Sequence, residues 1–75
     1  MAKPLRGARA ARVLGRNVAS VEEMRERGIV SQAEACDLWR RLGRELEDLQ
    51  SLHALNEHQY LKVRTELDEL LGMVR

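Results

Sequence analysis

"LHALNEHQY", residues 52–60, decides the architecture of this chain. It places His53, Asn56 and His58 inside a leucine-rich pattern whose neighbouring turns carry leucine. Either one long helix runs through a polar interruption, or a helix turns back on itself here. From Ala35 onward the apolar spacing alternates four and three without a slip. Trp39, Leu46, His53, Tyr60, Leu67 and Val74 then fall at heptad position a, and Ala35, Leu42, Leu49, Asn56, Val63 and Leu70 at d. Leu38 and Leu52 at g, with Leu71 at e, widen the stripe beyond a minimal two-stranded seam. The single proline is Pro4, so nothing after residue 32 forces a break.

If the helix continues, residues 32–74 form a rod on the order of 65 Å long. Its stripe is too long for the 30 preceding residues to cover, so it must pair with another chain. His53 and Asn56 are then polar seam positions, which lower stability but select register and oligomeric state. If instead the chain turns, Asn56 is an N-cap with Gln59 at N3, and Leu55 can staple against Tyr60 at N4. That alternative explains why Leu55 and Leu61, otherwise at outward heptad positions, are apolar. It leaves the turn without a glycine and makes the unbroken heptad phase a coincidence. The phase favours the continuous helix, with a helical hairpin or three-helix bundle as the alternative.

Upstream, Pro4 and Gly7 make a poor helix. From Ala8 the residues Ala10, Val13, Leu14, Val18 and Val21 share one helical side, while Arg6, Arg9, Arg12 and Arg16 gather on another. Gly15 weakens this helix. Ser20 followed by Glu23 reads as the start of a second short helix, and Gly28 as the left-handed residue that ends it. In "RGIVSQAE" Ser31 and Glu34 make an S-x-x-E capping box, which places a corner at 28–31. The stretch 21–43 resembles the short helical-hairpin domains called SHOCT, which carry a similar glycine–hydrophobic–hydrophobic–Ser/Thr-x-x-Glu turn. That likeness covers about a third of the 75 residues and consists chiefly of the one turn. Any helix–turn–helix corner can carry it, and no family is assigned from it.

Composition agrees with an all-α chain. Among 75 residues there are one Trp, one Tyr and no Phe, and a third are charged, a helix-forming and surface-rich mixture. One cysteine, Cys36, excludes an internal disulfide framework and fits a reducing cytoplasm. No apolar run approaches the roughly 18 residues of a membrane span. The net charge of +1 hides an asymmetry. Residues 1–21 hold Lys3, Arg6, Arg9, Arg12 and Arg16 without an acid, and the other 8 basic and all 12 acidic residues leave 22–75 at −4. This suggests a basic arm or amphipathic helix over 1–20 and a helical interaction domain over 21–75, with a possible second corner at 55–58.

Cys36, His53 and His58 match no closed metal-ligand spacing, and the two histidines point about 140° apart on one helix. No cofactor is expected. Nothing resembles a phosphate-cradling glycine loop or a nucleophile elbow, and the acidic pairs such as Glu47-Asp48 read as solvated helix exteriors. The sequence therefore points to a non-enzymatic helical interaction module, a regulator, adaptor or chaperone-like binder. It is expected to form a homo-oligomer, a dimer in the simplest case, through Trp39, Leu42, Leu46, Leu49, Asn56, Tyr60, Val63, Leu67 and Leu70, and to bind another protein. The alternative is a dimeric nucleic-acid-binding regulator whose Lys3, Arg6, Arg9, Arg12 and Arg16 neutralise phosphates. No stacking aromatics accompany those arginines, and membrane-surface or targeting roles for the arm rank lower.

Overall fold

The computed structural model describes residues 7–73, and among them it contains three helices and no strand. Helix α1 spans Gly7–Glu26, α2 spans Gln32–Ser51 and α3 spans Glu57–Met73. The chain goes up, down and up again. The Gly7 amide donates to the Ala54 carbonyl, which brings the start of α1 beside the corner between α2 and α3.

The continuous helix over 32–74 is therefore corrected: the chain turns at residues 52–56. The turn is a Schellman motif. His53 N–H donates to the Gln50 carbonyl at 3.0 Å, and Ala54 N–H reaches back to the Leu49 carbonyl at 2.9 Å. His53 takes the left-handed conformation, φ 56°, that a glycine normally supplies. Three residues later Asn56 opens α3. Its Oδ1 accepts from the Gln59 amide at 2.8 Å, and the Asn56 amide donates to Gln59 Oε1 at 3.0 Å. This reciprocal box satisfies two otherwise orphaned amides.

The first corner is built the same way. Gly28, at φ 75°, follows α1, with Gly28 N–H on the Arg25 carbonyl and Ile29 N–H on the Met24 carbonyl. Ser31 Oγ then accepts from the Glu34 amide at 3.1 Å, while Glu34 Oε1 accepts from the Ser31 amide at 2.9 Å. The hydrogen bonds to Ser31 hold the Glu34 carboxyl below its usual pKa.

Two short N-terminal helices were expected, and a single 20-residue one is found. Ser20 starts nothing. Ala10, Leu14, Val18 and Val21 keep helical phase across it and are all buried, so interrupting the helix there would take Val21 out of the stripe. One helix thus crosses the change in charge balance near residue 20.

All three stripes meet in one core. Ala10, Leu14, Val18 and Val21 pack with Ala35, Trp39, Leu42 and Leu46 of α2, with Val63, Leu67 and Leu70 of α3, and with Leu55 from the corner. Trp39 is 0% exposed. Its indole Nε1 donates to the Val18 carbonyl at 3.3 Å, tying α2 to α1, and the Arg25 guanidinium lies 5.7 Å from the ring centre.

The caps generate a direct test. Asn56→Ala should lower stability by about 1 kcal/mol, whereas Asn56→Asp should retain most of it. His53→Gly should raise stability by up to about 1 kcal/mol, and His53→Val should lower it. Urea denaturation of the four variants checks this. A gain for Asn56→Ala would mean that residue 56 lies in an apolar seam.

Candidate functional site

Most of the seam residues lie in the core. Trp39, Leu42, Leu46, Val63, Leu67 and Leu70 are buried inside the bundle, with Leu46 and Leu67 at 0% exposure. Leu49 and Tyr60 are half-buried at its edge, and Asn56 is an exposed cap. The structure brings the stripe together as expected, but by pairing α2 with α3 of the same chain. The physical reason is the corner: once the chain turns, one copy covers much of its own apolar face with these residues.

The α2–α3 edge is also polar and internally matched. Tyr60 donates its hydroxyl to Glu47 Oε2 at 2.6 Å. Arg64 reaches the same oxygen at 3.5 Å and binds Asp68 Oδ1 through Nη2 at 2.8 Å and Nε at 3.1 Å. Asp68 raises the Arg64 pKa above its usual value, and the hydrogen bond to Glu47 raises that of Tyr60. Arg64 thus makes these contacts within the chain.

The basic residues behave differently. Lys3 and Arg6 lie outside the described residues. Arg9, Arg12 and Arg16 are exposed along α1. Arg12 and Arg16 form one wall of a groove of about 540 Å³, and His58, Lys62 and Glu66 of α3 form the other. Its floor is small because Ala8, Ala11, Gly15 and Ala19 turn toward α3. A Cβ built on Gly15 would meet nothing within 4 Å. The groove continues along the same two helices into a depression bordered by Glu22, Glu66 and Glu69. The α1–α3 face therefore runs from a basic end to an acidic end. Among the described residues, ion pairs join Arg27 to Glu23, Arg40 to Asp37, and Arg64 to Glu47 and Asp68. None of these pairs involves a charged side chain of the α1–α3 groove.

The sequence singles out the arginines of α1 but not Lys62, Glu22, Glu66 or Glu69, which the fold sets beside them. The spacing of Lys62, Glu66 and Glu69 on one side of a helix was visible, but their proximity to α1 exists only after the fold closes. Among the described residues no group of three or more His, Cys, Asp or Glu side chains is placed to hold a metal ion, and no helix is long and apolar enough to cross a membrane. Comparison with protein-family models, curated proteins and solved structures returns no match.

The single tyrosine offers a clean titration. The folded pKa of Tyr60 lies above the ordinary value of 10.0, so its contribution to stability is complete below that pH and is lost as pH rises through the raised value. Absorbance titration of the phenolate should give a raised midpoint in the wild type and a return toward the ordinary value in Glu47→Ala. Identical midpoints would show that the hydroxyl bond does not form in solution.

Proposed function

We propose that the chain is a small non-enzymatic helical protein-interaction module, a regulator, adaptor or chaperone-like binder, that engages its partner through the α1–α3 face. One observation carries this reading. Arg12, Arg16 and Lys62 at one end of the groove, Glu22 and Glu69 at the other and Glu66 between them border a floor of alanine and glycine, and none is engaged in an internal ion pair among the described residues. Such charges contribute little to the monomer and become useful when a partner presents the opposite pattern. The small floor lets a partner backbone approach closely. The heptad residues support the fold, so Leu46→Asp would unfold the bundle rather than separate an assembly.

A nucleic-acid reading draws on Arg9, Arg12 and Arg16 with Lys62 across the groove. Arg12, Arg16 and Lys62 at the groove, with Arg9 further up α1, can neutralise a short run of phosphates. A uniformly anionic backbone following the groove then meets Glu22, Glu66 and Glu69. A partner with both signs of charge matches the whole face, and this favours protein over nucleic acid.

A helical peptide library displayed on phage and panned against the folded chain tests the proposal. Enriched peptides should carry both an acidic and a basic cluster. Binding should fall at least about tenfold with Lys62→Glu, which reverses one rim charge, and with Gly15→Leu, which fills the floor. No enrichment, or binding indifferent to both substitutions, would remove the α1–α3 face as the site.

A further inference from the structure

We propose that the partner of the α1–α3 face is a second copy of this chain, packed antiparallel across a two-fold axis. The axis crosses the groove between the level of Arg16 and Lys62 and the level of Glu22 and Glu66. This inference rests on the interaction-module reading above and names the occupant of that site.

Charge changes sign along the face. Arg12, Arg16, His58 and Lys62 border one part of the groove, Glu22 and Glu69 border the adjoining part, and Glu66 lies between and borders both. Helices α1 and α3 run in the same direction here, because Arg12 faces the His58 end and Glu22 the Glu69 end. Arg12 and Glu22 are ten positions apart, about 15 Å along the helix. The extremes of the face therefore carry opposite charge, and Arg16 and Glu22, six positions apart, bracket its middle at about 9 Å along the helix. A surface with one pole of each sign is complementary to itself after a half-turn. Each basic end then meets the acidic end of the other copy, which is the requirement of an isologous interface. A parallel arrangement would instead set like charge against like.

The two edges of α3 also differ in how their charges are used. The polar side chains on the α2–α3 edge satisfy one another through Glu47, Tyr60, Arg64 and Asp68. The rim charges of the α1–α3 groove make no such pairs among the described residues. With Ala8, Gly15 and Ala19 on α1, the backbones of two α1 helices can approach closely while the longer side chains of Lys62 and Glu66 fill the space between the α3 helices. The association is weak and salt-sensitive, because charge rather than apolar area supplies its specificity.

Sedimentation equilibrium of the full chain reads this directly. The wild type should dimerise at about 20 mM salt, and its association constant should fall at least about tenfold by about 500 mM. A variant with Arg12→Glu, Arg16→Glu and Lys62→Glu has two acidic poles, and one with Glu22→Lys, Glu66→Lys and Glu69→Lys has two basic poles. Each should be monomeric alone, and an equimolar mixture should restore a dimer. Circular dichroism checks that both stay helical; if either triple variant does not fold, the single changes Arg16→Glu and Glu66→Lys replace them. A wild type that is monomeric at every salt concentration overturns the inference, as does a charge-reversed variant that still dimerises alone. If the monomer nevertheless enriches peptides at the groove, the module reading stands and only the second copy is wrong. If the monomer instead co-sediments with a DNA duplex in a salt-dependent way, the face belongs to phosphate.

Discussion

A left-handed residue at position 53 turns the chain on itself, and the rest of the structure depends on that reversal. The Schellman bonds of His53 and Ala54 close α2, and the Asn56–Gln59 box opens α3 immediately afterwards. Between them they satisfy backbone groups that a broken helix would otherwise leave open. Histidine is a costly choice at φ 56°, since a side chain disfavours that region. The cost is offset because the reversal lets Leu46, Leu55, Val63 and Leu67 bury one another's apolar surface in a single chain. Without it the same stripe would face water along its whole length.

Burial then dictates where polar chemistry can sit. Trp39 occupies the centre, and its one polar atom is satisfied by the Val18 carbonyl rather than by water. On the α2–α3 edge, Glu47, Tyr60, Arg64 and Asp68 form a connected cluster that complements itself. On the α1–α3 face the small residues of α1 leave a groove, and the charges beside it point to solvent. The two edges of α3 therefore differ in kind. One joins its charges to each other, and the other carries charges that make no ion pair with each other among the described residues.

Several elements were legible before any tertiary contact was known. Ser31 with Glu34 and Gly28 before them marked the first corner, because each residue type has a conformational or hydrogen-bonding reason to stand there. Asn56 with Gln59 and Leu55 spelled out a helix start just as fully. It was outweighed by a heptad phase that continues through the corner. That phase has no role across the turn: α2 and α3 each need only their own inward stripe, and the corner happens to preserve the count. Ser20 misled for the opposite reason. A capping residue inside a helix is overridden when Val18 and Val21 both gain burial from continuity.

Residue order alone determined the helical class, the stripe that would be buried and the chemistry of the caps, because periodicity and capping act within a few residues of one another. Only the tertiary structure decided that the stripe closes within one chain, since that depends on whether His53 accepts a strained backbone in exchange for burial far away along the sequence. It also decided the candidate site. Arg12 and Arg16 become half of a polarised groove only when Lys62 and Glu66, some 50 positions downstream, are folded alongside them.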